Sequence, residues 1–244
     1  MNIHSKILWL LTILLISGNS HADILLTSEN LNTSLKQMQR LQLQLQENGN
    51  QTSTDEYYQL GATASALAKL LTAEVIGHGA EQENLINLAI QRSADMDVKI
   101  RWFGRLKRFF YNGDAYEQYL ENSPNGEHVA DSTFQLLDMD YYLSEATGTE
   151  SLAASILKME EFLDRYPDFE QISEVELYLA INYRDLWRQY RNKEDIETVN
   201  KQAEKTRHQF EYIVEKYQGK DKGDIAKRLL DRFNTEVEKN PKLL

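Results

Sequence analysis

The side chains that could do chemistry in this chain are scattered, and their spacing argues against a catalytic centre. There are five histidines and no cysteine. His4 and His21 lie near the start, while His78, His128 and His208 stand far apart, each beside a turn or on a polar face. None forms the His-x-x-x-His spacing that puts two imidazoles on one helix face for zinc. Without cysteine there is no thiol nucleophile, thiolate zinc site or iron–sulfur ligand. Acidic pairs do occur: Asp95 and Asp97 flank Met96, Asp138 and Asp140 precede Tyr141 and Tyr142, and Glu160 adjoins Glu161. Glycoside hydrolysis needs two carboxylates facing each other across a cleft. Acids one or two positions apart on a helix point away from one another instead. The alternating acids and central glycine of a calcium loop are missing, as are a nucleophile elbow, a phosphate loop and a dinucleotide fingerprint. The expectation is a chain with no catalytic residues, no metal site and no cofactor.

One segment stands out by charge. Arg101, Arg105, Lys107 and Arg108 are interleaved with Trp102, Phe103, Leu106, Phe109 and Phe110, a basic and aromatic stretch in an otherwise acidic protein. Val98, Ile100 and Trp102 alternate with a strand period, but the following aromatics return to helical spacing, so a helix is expected over 96–111. Such a helix either snorkels its basic stems over its own domain or meets an acidic partner, including the acidic bulk of this same chain.

The elements that would carry these residues begin with a leader. Lys6 precedes an apolar run from Ile7 to Ile16, and Ser20 and Ala22 stand three and one residues before Asp23. This is the order of a cleavable signal peptide over 1–22. A helix of roughly 15 Å is too short to span a bilayer comfortably. No later stretch is expected to reach membrane length. The brief charged region points to a periplasmic destination, with secretion as the alternative. The net charge of −11 becomes about −12 without Lys6. It disfavours nucleic acid and anionic lipid as generic partners, with no direct membrane insertion after cleavage.

Three prolines and eleven glycines leave long helical stretches. Residues 23–52 form an N-terminal segment in which Thr27-Ser28-Glu29 starts a helix and Leu31, Leu35, Met38, Leu41 and Leu45 recur at helical steps. Under three heptads is short for a coiled coil, so this helix is expected to dock on its own domain. Ser53 and Glu56 form a capping box for a helix ending near Ile76, and Gly77-His78-Gly79 turns the chain into a partner helix over 81–93, a helical hairpin. Further helices are expected after Asn112-Gly113-Asp114, from Glu127 to Ala146 before Gly148, from Thr149 to Tyr166, from Ser173 to Arg191 and from Lys193 to Tyr217. A final one runs from Asp224 after the polar loop Gly219–Gly223.

A spacing repeats before the breaks. Tyr116, Tyr119 and Pro124, then Met159, Phe162 and Pro167, then Phe210, Ile213 and Gln218 share intervals of three and five. Tyr57, Leu60 and Gly61, and again Leu179, Ala180 and Tyr183, supply large–small–large patterns on the preceding helices. Together these resemble divergent tetratricopeptide (TPR) repeats of bacterial envelope proteins, over roughly Tyr57 to Phe233. The intervals between breaks, about 43 and 51 residues, exceed the usual repeat of about 34.

The resemblance implies an all-α array of antiparallel helical hairpins over 53–240, wound as a right-handed superhelix. It also implies a non-enzymatic scaffold or adaptor in envelope assembly or maintenance, binding a protein or peptide partner. In that family the ligand groove is lined by first helices, which places Glu174, Leu177, Ile181, Arg184, Asp185 and Arg188 at the partner face. The alternatives are an exported all-α enzyme or accessory domain acting on peptidoglycan, or a secreted effector.

Overall fold

A computed structural model describes residues 26–48, 55–78, 83–147, 149–191 and 195–239. The expected leader over 1–22, the cap at Ser53 and the stop at Gly148 lie outside the described residues. The chain forms two compact units, Met1–Asn122 and Ser123–Leu244. Among the described residues it is helical throughout except for one two-stranded sheet, so the all-α expectation holds with that exception.

In the first unit, α1 spans Ser28–Asn48. It opens on a reciprocal cap: the Thr27 N–H donates to Asn30 Oδ1 at 2.8 Å and the Asn30 N–H donates to Thr27 Oγ1 at 3.2 Å, satisfying two donors that the helix cannot. Leu31, Leu35, Met38 and Leu41 are all buried, and the helix packs on α2 (Asp55–His78) and α3 (Glu83–Asp95). The leucine stripe is thus consumed by its own unit.

Helix α2 is the centre of this unit. It buries Leu60, Ala64, Leu67, Ala68 and Leu71 and packs against α1, β2 (Arg108–Tyr111) and α4 (Asp114–Asn122). At Gly61 a Cβ would lie 2.8 Å from the Tyr116 ring, so glycine lets α4 approach closely. Two expectations are corrected here. Gly77 and His78 continue the helix rather than turning it, and α3 packs chiefly on α1 and β1 rather than pairing with α2 as a hairpin. A further correction concerns membrane length: α2 has the length and composition of a span over Asp55–Gly77. Its buried face is nevertheless taken up by neighbouring elements, and the buried Glu74 carboxylate accepts the Leu26 N–H at 2.8 Å.

The helix expected over 96–111 is instead an antiparallel hairpin of β1 (Ile100–Phe103) and β2. The strand period wins because it buries the right residues: Val98, Ile100, Phe109 and Tyr111 are inside. The backbone also turns left-handed at Asp97 (φ 56°) and Lys107 (φ 50°), which a continuous right-handed helix cannot contain. The sheet is anchored by the Phe109 N–H donating to Thr72 Oγ1 of α2 at 2.8 Å. Helical spacing among the aromatics came from cross-strand partners, with Trp102 opposite Phe109 and Phe103 opposite Arg108.

The second unit is simpler. Helices α5 (Val129–Thr147), α6 (Thr149–Arg165), α7 (Ile172–Tyr190), α8 (Ile196–Lys216) and α9 (Asp221–Glu238) follow one another. From α6 onward each packs on its predecessor, and α7 also touches both α5 and α9. Short connections make consecutive helices antiparallel neighbours. Met159, Phe162, Val175, Leu179 and Tyr183 form one core with Phe134 and Leu152. Leu177, Ala180, Phe210, Ile213 and Ala226 form the next, and Trp187 meets Phe233 edge-on at 5.1 Å between centroids in the last. Tyr116, Tyr119, Met159, Phe162, Phe210 and Ile213, the residues of the repeated spacing, are all at most 2% exposed. The polar loop expected up to Gly223 is shorter, since α9 begins at Asp221. Position 223 therefore lies inside the helix, and it needs glycine because a Cβ there would sit 2.2 Å from the Tyr217 carbonyl oxygen.

Candidate functional site

Five helices layered in sequence order leave one face on which α5, α7 and α9 lie side by side, with α7 in the middle. Four of the six expected partner-face residues, Glu174, Ile181, Arg184 and Arg188, recur at helical steps along α7 with Asp185 beside them, and all five are partly exposed. Leu177 differs: it is 5% exposed and packs among Ala180, Phe210, Ile213 and Ala226, so its side chain belongs to the core.

The polar members of this strip are already engaged within the chain. Glu174 is paired with Lys222 of α9. Arg184 Nε lies 3.0 Å from Asp185 Oδ1, and Arg188 Nη1 lies 2.9 Å from the same oxygen. Arg188 also makes a two-armed contact with Glu236 of α9, its Nε donating to Oε2 at 2.8 Å. That contact pushes the guanidinium above its ordinary range and, as the leading cause, holds the Glu236 carboxyl below its own. On the α5 side the Tyr178 hydroxyl donates to Asp138 Oδ1 at 2.7 Å. The Tyr178 ring stacks on Tyr141 at 3.9 Å. Burial first, then the Asp138 charge, raises the Tyr178 phenol far above the usual tyrosine range.

Tyr178, Lys222 and Glu236 do not stand out in the sequence, and Asp138 stands out there only as one of an acidic pair, not as a member of this strip. Tyr178 was within reach, since it stands four residues after Glu174 on the same helix face. Asp138, Lys222 and Glu236 come from other helices, and only the packing brings them to the strip.

A second cluster ties α8 to α7. Glu176, 4% exposed, receives Lys216 Nζ at 2.6 Å and the Tyr212 hydroxyl at 3.3 Å, and Lys216 also reaches the Tyr212 hydroxyl oxygen at 2.8 Å. These groups border a recess of about 260 Å³ with Leu163, Pro167, Ile172 and Gln209. Burial opposes the lysine charge, but the bonds to Glu176 and Tyr212 outweigh it and Lys216 titrates above the lysine range. Burial, with the Glu176 carboxylate adding to it, pushes the Tyr217 phenol up to about 12. At neutral pH the cluster therefore holds an ammonium and a neutral phenol, neither of which is poised as a base.

The acids considered for hydrolysis are held apart. Asp140 pairs with Lys158 at 2.5 Å, and Asp97 lies 3.6 Å from Lys99. Glu160 takes the Tyr183 hydroxyl and lies 2.9 Å from Lys205. Burial raises Glu160, but those two partners outweigh it and the carboxyl stays below its ordinary value. Asp131 is the described carboxyl that moves upward, through burial opposed by His128 and helped by Glu170. Among the described residues no group of three or more His, Asp or Glu could hold a metal ion.

Comparison of the chain with family models, curated proteins and solved structures finds no match.

Proposed function

We propose that this chain is a non-enzymatic scaffold or adaptor, exported to the periplasm, in which a TPR-like array presents the α5–α7–α9 face to a protein or peptide partner of the cell envelope. The observation that carries the reading is the strip on α7. Glu174, Ile181, Arg184, Asp185 and Arg188 run the length of the helix, partly exposed, with Tyr178 and Asp138 on one flank and Lys222 and Glu236 on the other. Paired charges along a shallow strip favour a long, sequence-selective contact. A ligand with matching charges exchanges partners with them, whereas a mismatched one strands them. Successive packing of α5 through α9 supports the array, and the run from Lys6 to Ala22 supports export.

The test is cross-linking of the protein in its own cells, capture, and mass spectrometry, with N-terminal sequencing of the recovered chain. Two double variants invert the charges that bridge α7 to α9 while keeping those two pairs, Glu174→Lys with Lys222→Glu and Arg188→Glu with Glu236→Arg, the second giving up the Arg188 contact with Asp185. The expected result is a discrete envelope partner held by the native chain and lost from both variants, on a chain beginning at Asp23. A partner retained equally by both variants overturns the strip, and a chain still beginning at Met1 overturns the export.

A further inference from the structure

The hairpin tip is not used by this reading, and folding has changed its chemistry. The structure places Arg101, Phe103, Arg108 and Phe110 on one face of the two strands, and Ile100, Trp102, Phe109 and Tyr111 on the other. The second face is packed on the unit at Ile100, Phe109 and Tyr111, but Trp102, nearer the turn, is 40% exposed. Its ring centroid lies 4.9 Å from that of Phe109, tilted against it. Phe103 and Phe110 meet edge-on at 5.4 Å, with the Arg108 guanidinium 5.4 Å above Phe110. The connecting residues Gly104, Arg105 and Lys107 are exposed. Neither Arg101 nor Lys107 has an ion-pair partner among the described residues. From Ile100 to Tyr111 there are four bases and no acid, in a chain of net charge −11.

We propose that this tip is a peripheral docking site for an anionic phospholipid surface. Charge complementarity selects the occupant. The net charge disfavours a bilayer for the chain as a whole, but fields from distant charges are screened over about 8 Å at physiological salt, so the local charge at the tip governs contact. An indole and a phenylalanine pair ringed by arginine and lysine match the boundary between headgroups and acyl chains, where aromatic rings settle and bases meet phosphates. A four-residue turn with Gly104, Arg105 and Lys107 exposed enters a headgroup layer readily, whereas it offers an acidic peptide little apolar area to bury. The acidic remainder of the chain is repelled, so the tip sets the orientation.

The experiment uses the protein purified from its own cells, native and variant chains sharing the same termini. Probes are vesicles of phosphatidylcholine alone and of phosphatidylcholine with phosphatidylglycerol in equal parts. The expected result is co-sedimentation with the anionic vesicles only, weakened by added salt, and a blue shift of tryptophan emission that disappears in Trp102→Ala. Trp187 is fully buried and does not report contact. Arg101→Glu with Lys107→Glu should weaken binding by about tenfold or more, and Arg105→Glu, at the turn, should weaken it independently. All three positions are exposed, and an unchanged thermal melt verifies folding. Equal binding to both vesicle types, or binding unaffected by the three charge reversals, overturns the proposal. So does capture by polyglutamate without vesicle binding, which would assign the tip to an acidic peptide.

Discussion

The two units bury their cores by different routes. In Ser123–Leu244 each helix after α5 packs on the one before it, and the repeated aromatic and aliphatic pairs point into successive interfaces. In Met1–Asn122 the helix α2 is central, and its neighbours come from both sides in sequence: α1 before it, β2 and α4 after it. Close approach is achieved by glycine in both, yet against different atoms. Gly61 admits the Tyr116 ring, while Gly223 admits the Tyr217 backbone carbonyl. A layered array can be assembled from short-range pattern, whereas a centred packing depends on which distant segments find the same helix.

The sharpest way to break the comparison is Leu179→Arg. Leu179 is 3% exposed in the core shared by α6 and α7. An unpaired guanidinium there should cost about 4 kcal/mol or more and abolish the cooperative melt by circular dichroism. An intact melt would sink the layered account of the second unit.

The two glycines come next. Gly223→Ala should cost about 3 kcal/mol, and Gly61→Ala about 1–2 kcal/mol, measured by urea denaturation. A backbone carbonyl cannot move without disturbing the start of α9, but a ring can tilt. Combining Gly61→Ala with Tyr116→Leu should restore part of the loss, and no second-site side-chain change at Tyr217 should rescue Gly223→Ala. The reverse order of costs would show that the α2–α4 contact is the more rigid of the two.

Thr72→Val probes the anchor that belongs to the first unit alone. It keeps the shape but removes the acceptor of the Phe109 N–H, leaving a buried donor unsatisfied at a cost of about 1–2 kcal/mol. Hydrogen exchange at Phe109 should accelerate while the second unit's amides stay protected.

The smallest effect is on pH. Glu160 and Glu236 have folded pKa values below the ordinary glutamate value. Their contribution is present above the unfolded value and is lost as pH falls through the lowered folded one. Lys216 is raised, so its contribution is complete below the unfolded lysine value and is lost as pH rises through the folded one. Glu160→Gln should flatten the acid limb of stability against pH by a few tenths of a kcal/mol, since the group is partly exposed. Lys216→Met should flatten the alkaline limb, on a curve lowered throughout by the loss of the Glu176 partner.

Much of the second unit was legible in the residue pattern. Met159 and Phe162, and Phe210 and Ile213, lie one turn apart on one helix face before a stop, and a pattern of that kind needs no distant partner to be read. The start of α1 was legible for the same reason, because a cap acts within three residues. The strip on α7 was half legible. Its members on one helix follow from periodicity, but Leu177 shares that periodicity and is buried, since α8 and α9 happen to cover it.

What the sequence determines by itself is therefore the set of interactions that close within a turn or two: helical periods, caps, the concentration of basic charge around Arg105, and the lack of spaced metal or nucleophile motifs. Tertiary structure alone decided that 100–111 is a hairpin, that α2 serves as the hub of its unit, and that Lys222 and Glu236 meet Glu174 and Arg188. The reason is physical. The aromatic stretch satisfies a helical and a strand period at once, and the choice falls to burial of Val98, Ile100, Phe109 and Tyr111 and to one hydrogen bond that Thr72, 37 positions away, accepts from the Phe109 N–H.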